Sequence, residues 1–417
     1  MTATMQRPET QAANSPAPIV FTTTYADLSA GLQAAALAIA TKPLAPVLGG
    51  VLMDSIGGRL MLTAFDYEVH ARAFVPTATC TEGRLLVDHR SLLKALAGLV
   101  DGLPTKKKDV LRVEIRAATP NTPTVTVDGY TVPLKALPIE DYPAPQPALP
   151  PVVAQIRRAA WLTELERVLS AVGKDDTLPF ATGVLVELEN RAMRMTCTDR
   201  FRLTTVEVPV LRLQEREIST TALVPGATLS KLMAQFKKLT DEWVQVGLDP
   251  ANQVMSFTSG GVTLSTLLLD SKFPDYQKLL PKEQAGHATV NRKALTQQVK
   301  RAASVEKNLD DTMGSLAMRI QPGGVSVRVR LAERDDQVKV PLLPATVSGC
   351  DRELWFAPKY LLECLASFSG DTVTVFPSTR TYGATLVCDQ PTDFEVASAY
   401  RHLIMPVRQP DLPAETT

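Results

Sequence analysis

The chain has 417 residues, 45% hydrophobic and 21% charged, the composition of a globular protein too long for one ordinary core. Lys plus Arg and Asp plus Glu each total 44; zero formal charge excludes a plainly basic groove binder of nucleic acid, so any DNA contact must be local, weak or topological. No apolar run reaches the roughly 18–20 residues of a bilayer crossing, and five scattered cysteines without a CxxC pair exclude a zinc finger or disulfide framework and fit a reducing cytoplasm.

Residues 1–18, MTATMQRPETQAANSPAP, lack the apolar centre of a secretory signal and read as a disordered tail. YADLSAGLQAAALAIA, from Tyr25, carries apolar side chains at helical spacing. From Gly50, GVLMDSIGGRLMLTAFDYEVHARAFV reads as two alternating strands around a turn, with Leu60, Leu62 and Ala64 on one face. LLVDHRSLLKALAGLVDG then passes from strand to helix, and Asp88 is placed to cap that helix. Lys106–Lys108 read as a solvated turn. Residues 138–151, PIEDYPAPQPALPP, are too rich in proline for central strand or helix and mark a boundary.

The same order then recurs twice. AAWLTELERVLSAV sets Leu162, Leu165, Val168, Leu169 and Val172 on one helical face; GVLVELENRAMRMTCTDRFRLTTVEVPV follows from Gly183, then ALVPGATLSKLMAQFKKL. After a second junction at residues 272–286, KFPDYQKLLPKEQAG, come NRKALTQQVKRAASV, GSLAMRIQPGGVSVRVRLAERDDQVKVPLL from Gly314, and LWFAPKYLLECLASFSGD. Gly50, Gly183 and Gly314 lie 133 and 131 residues apart, and Val87, Val224 and Phe356 lie 137 and 132 apart. Such a period is the signature of a repeated unit. The expectation is an α+β protein of three similar domains, residues 19–148, 149–283 and 284–410, each two helices on antiparallel sheets, with a further tail at 411–417.

Catalysis finds no support. The four histidines (His70, His89, His287, His402) form no HExxH, and there is no G-x-S-x-G, P-loop or G-x-G-x-x-G. No cofactor or metal is expected. The helices do carry cations on their polar faces: Arg158 and Arg167; Lys231 and Lys238; Arg292, Lys293, Lys300 and Arg301. Isolated lysines of this kind are ordinarily solvated. A set of them facing sugar-phosphate would bind weakly and without reading bases.

The chain resembles the bacterial sliding clamp, the beta subunit of DNA polymerase III. The motifs that carry the resemblance are PLAPVLGGVLM with LTAFDYEV, TDRFRLTT, FPDYQKLLP, YLLECL and LIMPVR. It implies a non-catalytic processivity factor, a head-to-tail homodimeric ring of six similar domains around duplex DNA, cytoplasmic and at the nucleoid, with no membrane partner. It places Lys42 among the DNA-facing cations. It implies an apolar pocket for short peptides from the DNA polymerase III alpha subunit, clamp-loader subunits and other clamp-binding proteins. The matching positions are Ala181, Thr198, Arg200, Phe201, Arg202 and Leu203; Pro274, Lys278 and Leu279; and Ala357, Tyr360, Leu403, Met405, Pro406, Val407 and Arg408. Leu203 and Leu403 read equally well as core. The dimer seam falls on Val132 and Leu134 of one chain and Ser304 and Val305 of the other. The chain departs from the family pattern where Arg200 and Phe201 replace Gly and His, Ala181 a leucine, Ala357 an asparagine, and Gln409 the terminal leucine. These departures point to an altered ligand set. The competing reading is a repeat scaffold that binds peptides without enclosing DNA.

Overall fold

The computed structural model describes residues 17–143, 148–189, 191–213, 220–280, 286–310, 312–332, 334–380, 383–389 and 400–407. The expected C-terminal tail and all but two residues of the expected N-terminal one lie outside them. The chain divides into two compact units, residues 1–148 with 261–264, and residues 149–260 with 265–417.

In the first unit one antiparallel sheet runs Thr79–Cys80, Ile19–Thr24, Arg112–Ala117, Pro123–Val127, Tyr130–Pro133. A second runs Val69–Val75, Arg59–Phe65, Gly50–Ile56, Arg84–Asp88. Helix α1 (Tyr25–Ala35) starts where the Thr24 hydroxyl accepts the Asp27 N–H, and α2 (His89–Leu99) where the Asp88 carboxylate accepts the Ser91 N–H at 2.7 Å. The second is the expected cap, which satisfies a donor the helix cannot use itself. Lys106–Lys108 form a single helical turn, α3 (Thr105–Asp109), with no buried residue. The proline-dense boundary begins inside this unit's core: Leu137 and Tyr142 pack with Val47, Leu48, Leu52 and Leu86. Leu134 is only 7% exposed in the single chain, and its N–H donates to Pro123 O. Val132, two residues earlier on the sheet's edge strand, is half-buried.

The second unit holds α4 (Arg158–Leu169), the short α5 (Pro179–Thr182), α6 (Gly226–Phe236), α7 (Arg292–Asn308) and α8 (Pro358–Ala366), with α4 against α6 and α7 against α8. One run of its paired strands is Thr220–Pro225, Gly183–Glu189, Ala192–Thr198, Arg202–Arg212, Tyr400–Ile404, Thr385–Cys388, Thr372–Phe376, His287–Asn291, Leu343–Ser348, all antiparallel. Trp161 anchors the α4 side of the core, stacked on Phe257 at 5.1 Å and edge-on to Phe236.

The repeat is structural as well as sequential. The first residue of each leading helix donates its N–H to the carbonyl just before the strand that follows the second helix. These bonds are Tyr25 to Leu111, Arg158 to Glu242 and Arg292 to Asp371, each 2.8 Å. The strand-to-helix segments pair alike, Val51 with Val87, Val184 with Val224, and Leu316 with Phe356. The last pair corrects the alignment of the glycines. Gly50 and Gly183 are buried, whereas Gly314 is exposed at φ 65°, and Ser315 takes the buried place. The strand Thr312–Gln321 shifts register between Thr312 and Leu316, and a glycine is what such a left-handed kink tolerates.

Candidate functional site

TDRFRLTT spans the end of one strand, a tight turn and the start of the next. Asp199 makes the turn: its Oδ1 accepts N–H groups from Phe201 (3.1 Å) and Arg202 (3.0 Å). The Thr198 hydroxyl donates to Arg202 O and accepts the Arg200 N–H. Arg200 is thereby held at φ 78°. That backbone costs a residue with a Cβ about 1 kcal/mol and costs glycine nothing, so an arginine kept there marks a candidate functional position.

Past the turn, Arg202–Val206 pair with Tyr400–Ile404, and Leu203 lies opposite Leu403. Beneath them is a core of Leu203, Tyr276, Phe376, Leu386, Cys388 and Leu403. Three motifs distant in sequence therefore meet. Leu203 (4% exposed) and Leu403 (2%) are interior side chains in the single chain. Tyr276 was missed: it seats the linker motif in this core and donates to Glu187 at 2.6 Å. An aromatic in a proline-flanked segment was the available signal.

A cavity of about 960 Å³ opens beside the turn. Ala181, Arg200, Phe201, Arg202 and Tyr360 line it together. Much of the wall was not expected: Glu166, Arg167, Val172, Lys174, Asp175 and Leu178 from the end of α4 and the loop after it, and Glu363, Ser367 and Phe368 from α8 and its exit. Thr198, Pro274, Lys278, Leu279, Ala357, Met405, Pro406 and Val407 are not in this wall, and Arg408 lies outside the described residues. Met405 still sits beside it, donating its N–H to Phe201 O at 2.8 Å, and Leu279, Met405 and Val407 are exposed.

The floor is polar and buried. Arg202 (side chain 6% exposed) pairs with Asp199 at 3.0 Å and lies against Glu363. Arg167, expected among the DNA-facing cations, is held by partners within its own unit. Its side chain is 14% exposed, it pairs with Asp389 (2.9 Å) and Glu164 (3.2 Å), donates to Ser367 O, and lies 3.9 Å over the Tyr400 ring. A cation so placed joins α4 to α8 and the last strand. His402 is fully buried, with Nδ1 3.1 Å from the Tyr400 hydroxyl and 3.3 Å from that of Ser367. Burial, then Arg202 and Arg167, lower its pKa to about 3. Cys197 is inert at neutral pH, since burial pushes its thiol up to about 12.

Of the other cations, Lys42, Lys231, Lys238, Lys293, Lys300 and Arg301 are exposed. Arg158 and Arg292 hold corresponding helix positions and spend part of their guanidinium on carbonyls, Phe236 O at 3.0 Å and Gly370 O at 2.6 Å. Ser304 and Val305 are exposed on α7. Among the described residues no group of His, Cys, Asp or Glu could hold a metal ion.

A threefold helix-and-sheet module with a ligand cavity defines a binding protein. Residues 19–146 match the DNA polymerase III beta subunit, N-terminal domain, and residues 156–275 its central domain. The beta sliding clamp of Streptomyces coelicolor is 31% identical over 378 residues, 90% of this chain and 95% of that one. The beta sliding clamp homolog GriR of Streptomyces muensis is 27% identical over 386 residues, 91% and 97% of the two chains. Among solved structures, a Pseudomonas aeruginosa sliding clamp bound to griselimycin superposes with a TM-score of 0.80 at 22% identity, covering 94% of this chain and all of that one. The chain belongs to the beta sliding clamp family, the beta subunits of DNA polymerase III. It is a processivity factor of DNA replication without an active site of its own.

Proposed function

We propose that two copies of this chain close head to tail around duplex DNA and tether the replicative polymerase through the cavity beside Phe201. The observation that carries this is the module repeated three times with the same helix-to-strand bond in each copy. A dimer of such chains has six equivalent modules, enough for a closed ring with pseudo-symmetry about the DNA axis. The domain boundaries fit residues 19–148, 149–283 and 284–410. Lys42, Lys231, Lys238, Lys293, Lys300 and Arg301, with Arg158 and Arg292 in part, supply weak, salt-screened contacts to phosphate. Contacts of that strength hold a ring on DNA without stopping it from sliding. The place of action is the cytoplasm, at the nucleoid.

The seam falls on the edge strand that carries Val132 and on Ser304 and Val305 of α7. Val305 is 42% exposed in the single chain, so a charge there is tolerated by the fold and not by an apolar seam. Val305→Asp should sediment as a monomer where the parent sediments as a dimer. The parent, loaded by clamp loader and ATP, should stay on nicked circular plasmid and be lost when the plasmid is cut. A parent that remains single and slips off closed circles would leave a peptide-binding scaffold as the better reading.

A further inference from the structure

We propose that Phe201, stacked on Tyr360, is a gate that sets which ligands enter the cavity; this rests on the reading of that cavity as the partner site. The two rings lie 5.4 Å apart, only 18° from parallel. One comes from the turn and the other from the first turn of α8, and both line the cavity. The stack therefore bridges two elements of its wall.

The surroundings hold the pair closed. The Phe201 backbone is fixed on both sides, its N–H by Asp199 and its carbonyl by Met405. The ring, 48% exposed, is the part left to move. Cations reinforce it: the Arg200 guanidinium lies 5.8 Å from the Phe201 centroid, and Arg202 and the Lys359 ammonium lie 5.1 and 5.6 Å from that of Tyr360. Aromatic faces attract cations, so moving the ring gives up both kinds of contact. A ligand that needs the covered space must first displace Phe201. The free protein binds such a ligand with only the open fraction of its population, and that ligand's apparent affinity falls by that fraction. Ligands that bind the cavity beside the stack escape this cost, so the gate separates the two kinds.

The test measures association of the DNA polymerase III alpha subunit with the immobilised dimer. Phe201→Ala should raise the association rate about two- to tenfold, the size of one aromatic pair, and leave dissociation nearly unchanged. Phe201→Tyr, which keeps the stack, should behave as the parent. Leu178→Asp, on the cavity wall away from the stack, should weaken binding. A Phe201→Ala rate equal to or below the parent's, with Leu178→Asp still weakening binding, overturns the gate alone. Indifference to both substitutions overturns the gate and the reading of the cavity together.

Discussion

Arg167→Met should lower the stability of the second unit by about 2–4 kcal/mol. The substitution keeps an apolar chain against Tyr400 and Phe368 and removes the charge with its N–H donors. Asp389, 20% exposed, then loses its cation, and Ser367 O loses a donor. Removing one partner of a buried pair costs about 3–5 kcal/mol; the partial exposure here brings that down. For a unit of this size the expected fall in the thermal midpoint is about 5–10 °C. Asp389→Asn should cost less, because Glu164 remains beside Arg167. The double variant should be milder than the sum of the two, with a coupling above about 1 kcal/mol. If Arg167 instead faced DNA, the Met variant would unfold like the parent and the salt slope of its DNA retention would fall by about one unit. Urea unfolding of the four proteins decides between these: a shift below about 0.5 kcal/mol for Arg167→Met would return this side chain to the DNA-facing set.

Arg167 also shows what the sequence could not convey. The helix around it was legible, because Leu162, Leu165 and Val168 repeat at helical spacing and are buried. The period also gave the three modules, since each places the same strand before the same helix. A polar residue at the edge of an apolar stripe can face solvent or a neighbouring module with equal local propensity. Which one it does is settled by Asp389, 222 positions along the chain. The cavity wall after α4 was missed for the same reason: Lys174, Asp175 and Leu178 sit in a polar loop whose use depends on what packs against it. Leu203 and Leu403 suit core and ligand contact alike by sequence, and what buries them is the packing of three distant segments around Tyr276 and Phe376. The glycine alignment failed at Gly314 because a register shift is invisible to a spacing count. Ser315 filling the buried place was the cue that composition could not supply.

Acid should destabilise both units well above the range where carboxylates titrate. His402 in the second unit and His70 in the first each have a pKa lowered to about 3, chiefly by burial and then by arginine, Arg202 and Arg167 for the one and Arg72 for the other. His89, in the first unit, is shifted the same way by burial. The unfolded chain protonates His402 and His70 as the pH falls through the ordinary histidine value of about 6.5, and the folded chain does not until about 3. The stability these two carry is therefore full above pH 6.5 and is lost as the pH falls toward 3, at about 1.4 kcal/mol per unit for each of the two. Between pH 7 and 5 that is about 2 kcal/mol for His402. The charged groups nearest that ring are Arg202 and Arg167, held by Asp199 and Glu363 and by Asp389 and Glu164. None of these carboxylates contacts the imidazole, so none is placed to welcome its proton. His402 Nε2 is buried without a partner among the described residues, which leaves an added N–H nothing to donate to. His402→Gln keeps a polar group near the Tyr400 hydroxyl and cannot charge, so its second-unit transition should be nearly flat from pH 7 to 5 while the parent's urea midpoint falls. The first unit, still carrying His70, should keep its acid sensitivity in that variant and act as the internal control. Equal pH slopes for parent and variant in the second unit would mean that His402 reaches a proton acceptor or solvent in the folded state.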